Sequence, residues 1–128
     1  MRRRLLVLAG TAGLLLAAAP PAGADTTQCS IAASGATACA AGANFVSYGE
    51  HLFVTDRAAD GHSSVVQYWL EGGTGPFLLW NSGGNGTSVD HNLELAEGSW
   101  IFYRVCVGEY GIRDVWTSTC GAGVTDYA

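Results

Sequence analysis

Apolar and polar residues alternate along this chain in short bursts, without helical spacing. Between residues 99 and 107, Ile101, Tyr103, Val105 and Val107 fall on one side and Trp100, Phe102, Arg104 and Cys106 on the other, the period-two pattern of a half-buried strand. Residues 63–70 repeat it, with Val66, Tyr68 and Leu70 on the apolar side and Val65, Gln67 and Trp69 opposite. Arg104 and Gln67 mark the wetter faces. Further strands are expected at 45–48, 50–56, 76–81 and 87–95, with a last one within 117–127, because segments rich in Val, Leu and aromatics are separated there by Gly, Asn and Asp. The clearest turns are Asp60-Gly61 and the run Ser82-Gly83-Gly84-Asn85-Gly86. The Ala-rich stretch 31–43 is broken by Gly35 and Gly42 and lacks a polar face at helical spacing, so no helix is expected there. About seven short strands in roughly 100 residues predict a single all-β domain, an antiparallel sandwich.

The N-terminus has a different texture. Arg2, Arg3 and Arg4 precede an unbroken apolar run from Leu5 to Ala19, then Pro20, Pro21 and the small triplet Ala22-Gly23-Ala24. A basic start, an apolar run too short to span a bilayer and an A-x-A-like exit describe a cleaved secretory signal over residues 1–24. Asp25 at the first mature position argues against a lipid-anchored cysteine. Residues 25–128, about 104, are enough for one domain and too few for two.

Removing the signal changes the charge. The whole chain has a formal charge of −5, but three of its six basic residues lie in the signal and there is no lysine. Eleven acidic residues against Arg57, Arg104 and Arg113 leave −8. Nucleic-acid binding and adhesion to anionic membranes need clustered cations, so neither is expected.

Cys29, Cys39, Cys106 and Cys120 all follow the signal, in the compartment where disulfides persist. Four cysteines allow three connectivities. Nearest-neighbour pairing, Cys29–Cys39 and Cys106–Cys120, is favoured because each pair brackets a turn-rich segment. A Cys39–Cys106 bridge between sheets is the competing arrangement, disfavoured by the outward position of Cys106. No pair has the C-x-x-C spacing of a zinc site, so no metal or other cofactor is expected.

The segment Leu95-Ala96-Glu97-Gly98-Ser99-Trp100-Ile101-Phe102-Tyr103-Arg104-Val105 resembles the E–F corner and F strand of fibronectin type III and related immunoglobulin-like domains, with Ile101 standing where the corner tyrosine is found. The resemblance implies an immunoglobulin-like sandwich. Across most of the mature chain, Asp60-Gly61-His62, Trp80-Asn81-Ser82, Tyr103-Arg104-Val105-Cys106 and Val124-Thr125-Asp126-Tyr127 are similar to a family of small secreted actinobacterial proteins. That similarity implies a fold and an extracellular address and brings no activity with it.

Catalytic chemistry has little to stand on. Glu50-His51 and Asp90-His91 each set a carboxylate beside an imidazole, but adjacent strand residues point to opposite faces. Ser63 and Ser64 lie in no nucleophile elbow. Asp56 and Asp60 could join Asp90 around calcium, although the spacing of an EF-hand loop is missing and Asp60-Gly61 reads more simply as a turn. Asn85-Gly86-Thr87 matches the glycosylation pattern and equally continues a Gly-rich turn.

Aromatics carry the functional expectation. Trp69, Trp100 and Phe102 fall on outward sides and would form a flat platform if that face is open. Residues 108–116 concentrate Tyr110, Arg113, Asp114 and Trp116, types enriched in recognition loops. This stretch reads either as a long loop closed at its base by Cys106–Cys120, the expected main recognition element, or as part of a plain strand over 112–119 reached through a turn at Tyr110-Gly111. The expected function is non-enzymatic binding of an extracellular protein or polysaccharide. An inhibitor of a secreted hydrolase and a carbohydrate- or cell-wall-binding module are the specific forms, and a small hydrolase is the weakest reading.

Overall fold

A computed structural model describes residues 27–128, so the expected signal and its cleavage site lie outside the described residues. Nine strands form: β1 (Gln28–Cys29), β2 (Ala41–Val46), β3 (His51–Asp56), β4 (Ser63–Leu70), β5 (Thr74–Asn81), β6 (Ser88–Asn92), β7 (Trp100–Glu109), β8 (Asp114–Trp116) and β9 (Val124–Tyr127). They make two antiparallel sheets, the disulfide-stapled β-sandwich expected from the alternation. The first has the order β1-β2-β3-β6 and the second β5-β4-β7, with β8 and β9 sharing the far edge of β7. β8 pairs Val107–Glu109 and β9 pairs Trp100–Tyr103.

The faces follow the sequence pattern. Val66, Tyr68, Ile101, Tyr103, Val105 and Val107 point inward against Ala41, Ala43, Phe45, Leu52 and Val54 of the first sheet. β2 runs 41–46 where 45–48 was expected, and two extra strands, β1 and β8, appear. The last strand lies within the expected stretch 117–127, at its end. A 3-10 turn, Thr117–Thr119, interrupts the segment. Its cause is Thr119, whose buried hydroxyl oxygen accepts the Val107 N–H at 2.8 Å and so occupies a ladder position that a backbone carbonyl would otherwise fill.

Two buried polar side chains join the sheets. The Tyr103 hydroxyl donates to Asp126 Oδ2 (2.9 Å) and accepts the Phe45 N–H of the opposite sheet (3.2 Å). Asn81 donates through Nδ2 to the Val54 carbonyl (3.2 Å) and the Thr87 carbonyl (2.9 Å), while its Oδ1 accepts the Gly83 N–H (2.9 Å). This amide holds the Gly-rich turn after β5 against β3. Full satisfaction is what makes such burial tolerable.

The cysteines pair as expected, Cys29–Cys39 and Cys106–Cys120. Both bridges meet at one edge of the sandwich. The Ile31 N–H donates to the Thr119 carbonyl at 2.8 Å, carrying the N-terminal segment from the first sheet to the second. Gly121 is required there, because a Cβ would lie 2.3 Å from the Cys29 carbonyl oxygen. Among the described residues, no helix is long and apolar enough to cross a membrane.

Candidate ligand-binding face

The outward side of the second sheet is where most of the aromatic surface gathers. Cross-strand partners share a face, so the register places Trp69 opposite Phe102, Gln67 between Leu78 and Arg104, and Val65 between Trp80 and Cys106. Trp100 faces Tyr127 on β9, two residues along from Phe102. Trp69 and Phe102 contact at 5.5 Å between ring centroids, and Trp80 meets Tyr110 at 5.8 Å. Trp69, Trp80, Trp100 and Phe102 are half-buried, whereas Leu78 and Tyr127 are 44% and 61% exposed.

Glycine makes beds for these rings. A Cβ on Gly123 would lie 2.6 Å from the Phe102 ring. One on Gly108 would lie 2.4 Å from the Asp114 carbonyl oxygen and 3.1 Å from the Trp80 ring. The bare backbone leaves room for both rings, which stand tilted against their neighbours, Trp69–Phe102 at 48° and Trp80–Tyr110 at 67° between planes. Beneath the Trp80 end, Val65, Cys106 and Cys120 form a small apolar cluster with Trp80 and Val115. Cys106 is therefore outward, as expected, and still fully covered.

The charged side chain on this face, Arg104, stands at its middle. Arg104 Nε donates to Gln67 Oε1 at 2.8 Å, and the guanidinium carbon stands 5.8 Å from the Trp69 ring centroid. Among the described residues, no carboxylate sits at an outward position on β4, β5, β7, β8 or β9. In a domain this acidic, that is a strong local bias. Arg104 is thus held in place by an amide and a ring.

Compared with protein-family models, curated proteins and solved structures, the chain matches none. The site is thus defined by its geometry.

The structure separates the residues expected to act in recognition. Trp69 and Trp100 stand on the platform with Phe102. Tyr110 borders it through Trp80, and Arg113 stacks on Tyr110 at 3.4 Å from guanidinium carbon to ring centroid. Arg113 also donates to the Tyr110 carbonyl at 2.7 Å. Asp114 is exposed at the start of β8, opposite Glu109. Trp116 is a correction. It pairs with Val107 on the inward side, packs against the core and meets the His62 ring edge-on at 4.5 Å. Residues 108–116 are not a long loop, because β7 continues to Glu109 and β8 pairs back on it. A 3-10 turn, Tyr110–Ile112, and left-handed Arg113 close the hairpin.

Sequence reading missed Trp80, Leu78 and Tyr127. The signal was there for Trp80 and Leu78: alternation along β5 puts both on the side of Val65 and Gln67 once the register with β4 is known. Tyr127 needed the pairing of β9 with Trp100.

The other candidates are dispersed. His51 Nδ1 contacts Asp90 Oδ1 at 2.8 Å on the first sheet, and His62 Nδ1 contacts Glu109 at one end of the sandwich. His91 is exposed on β6. Asp56 and Asp60 each spend Oδ1 on a nearby backbone N–H, of Ala58 (3.1 Å) and His62 (3.0 Å). Among the described residues no three potential metal ligands gather.

Proposed function

We propose that this is a secreted, non-enzymatic binding domain whose outward face on the second sheet takes a neutral polysaccharide. The observation that carries the reading is the contiguous aromatic surface of Trp69, Trp100, Phe102 and Tyr127, set beside the Arg104–Gln67 pair and free of carboxylates. A pyranose ring has apolar C–H faces and polar hydroxyls around its rim. Aromatic rings cover the first, and guanidinium and amide groups pair with the second. Sheet rigidity limits the conformational entropy lost on binding.

Size favours a sugar chain over a protein partner. Three strand spacings by eight residues give a face of roughly 14 by 27 Å, on the order of 400 Å². Standard protein interfaces take about 800 Å² from each partner. The inhibitor reading rested on a long rigid loop, and its main anchor, Trp116, packs inward. Two disulfides are compatible with an extracellular protein, which suits the export signal read at residues 1–24.

Retention on insoluble neutral polysaccharides tests the proposal. The wild-type domain is expected to co-sediment with at least one β-linked glucan or chitin, nearly independently of salt. Trp69→Ala should weaken retention by about tenfold or more, and Tyr48→Ala, at an exposed turn remote from the face, should leave it unchanged. Retention indifferent to both Trp69→Ala and Trp100→Ala would remove the face from the mechanism.

A further inference from the structure

We propose that Asn85 is a deamidation site gated by the fold, its carboxamide kept while the turn after β5 is closed and lost when that turn opens. Of the four asparagines, Asn44, Asn81, Asn85 and Asn92, only Asn85 is followed by glycine. Deamidation of such a pair begins when the glycine backbone nitrogen attacks the asparagine Cγ, and glycine favours it because no Cβ obstructs the approach. Asn85 and Gly86 are both exposed, and a Cβ on Gly86 would meet nothing within 4 Å. Sterically, the pair is open.

Hydrogen bonding of the attacking nitrogen holds it shut. The Thr87 N–H donates to the Gly84 carbonyl at 3.1 Å, and Gly86, at φ 82°, gives residues 84–87 the form of a type II turn. The Gly86 N–H donates to the Asp56 carbonyl at 2.8 Å, and the Asp56 N–H donates back to the Thr87 carbonyl at 3.0 Å. The Thr87 hydroxyl braces the turn, 2.6 Å from the Gly84 carbonyl oxygen and 3.1 Å from Asn81 Oδ1. Attack needs the Gly86 nitrogen stripped of its proton and turned toward its neighbour's side chain, so the bond to Asp56 has to break first. Ring closure then joins Gly86 N to Asn85 Cγ and expels ammonia, the amide proton passing through solvent to the leaving nitrogen. Water opens the resulting imide, at Cγ to give aspartate or at the backbone carbonyl to give isoaspartate. One water is consumed, one ammonia is released and nothing is oxidised or reduced. Isoaspartate lengthens the backbone by one carbon inside the turn, so residues 86 and 87 no longer meet Asp56 in register. Asn81 is an internal control, because its carboxamide is buried and committed to Val54, Gly83 and Thr87.

Peptide mapping after incubation in mildly alkaline buffer tests the gate, on the disulfide-intact protein beside the same protein reduced and held in denaturant. Conversion of Asn85 to aspartate and isoaspartate is expected to be about tenfold or more slower in the native protein, because two backbone hydrogen bonds to Asp56 oppose opening. Asn81 should stay unconverted in the native protein throughout. Thr87→Ala, at an exposed position, should speed native conversion of Asn85 by about threefold or more while leaving the melting transition cooperative. Hydrogen exchange at Gly86 in the wild type needs no variant: its protection should match the slowing of deamidation, since both wait for the same N–H. Native protein that converts at the rate of the denatured chain, a Gly86 amide that exchanges unprotected, or a native rate indifferent to Thr87→Ala would each overturn the gate.

Discussion

Replacing Cys106 and Cys120 together with alanine is expected to cost about 4 kcal/mol, seen as a fall in melting temperature of about 15 °C or more. Chain entropy supplies about 3 kcal/mol for a bridge across 14 positions. The rest comes from uncovering Val65 and Trp80, which the two sulfurs bury on the outward face. Replacing Cys29 and Cys39 should cost less. Its loop of 10 is only about 0.3 kcal/mol weaker by entropy alone. The larger difference is cover, since Cys39 sits half-buried in a turn and, unlike Cys106 and Cys120, belongs to neither apolar cluster. Thermal melts of the two double variants measure the order directly. Equal losses would show that Cys106–Cys120 acts through chain entropy and not as the floor of the Trp80 cluster.

Tyr103→Phe is expected to cost about 2–3 kcal/mol at pH 7, because it leaves the Asp126 carboxylate and the Phe45 N–H without their buried partner. The deficit should depend on pH. Burial holds the Asp126 carboxyl above its ordinary range, opposed by a smaller lowering from the Tyr103 hydroxyl. A carboxyl raised in the folded state binds its proton more tightly there than in the unfolded chain. Its contribution is complete below the ordinary Asp value of about 4 and is lost as pH rises through the folded value. Removing the Tyr103 hydroxyl removes the lowering, so the variant should be hurt more at pH 7 than at pH 4. Asp126→Asn keeps an acceptor for Tyr103 and should flatten the wild-type profile over the same window. Denaturant titrations at the two pH values decide. A Tyr103→Phe deficit that is equal at both would mean that Asp126 does not feel the hydroxyl.

Local pattern was enough for β4, whereas β2, also flanked on both sides, was expected at 45–48 and runs 41–46, because its Ala- and Gly-rich start carries no alternation. β4 is central in its sheet, and its bounds, 63–70, match those read from alternation; Tyr103, Val105 and Val107 of β7 likewise face the core as expected. Alternation tells sides, however, and not what covers them. Cys106 lies on the outward face and is nonetheless sealed, because Trp80 and Val115 arrive from strands distant in sequence. Residues 108–116 stayed ambiguous because the deciding facts are non-local: β7 runs on to Glu109, and Arg113 takes the left-handed conformation that turns the chain back. With that turn in place, Trp116 faces Val107 and must point inward. The candidate face was half legible. Trp69, Trp100 and Phe102 were placed by their own strands, whereas Trp80, Leu78 and Tyr127 join them only through the registers of β5 and β9.

The four tryptophans provide a direct test of the binding face. Trp69, Trp80 and Trp100 stand on it and Trp116 lies on the inward side, so the four indole N–H signals in a two-dimensional NMR spectrum report both sides at once. Titration with soluble hexamers of β-linked glucose or N-acetylglucosamine should shift the Trp69 and Trp100 signals most and Trp80 less, with Trp116 unmoved. Shifts confined to Trp116 and the Tyr110–Ile112 turn, with the three outward indoles silent, would contradict a binding site on the outward sheet face.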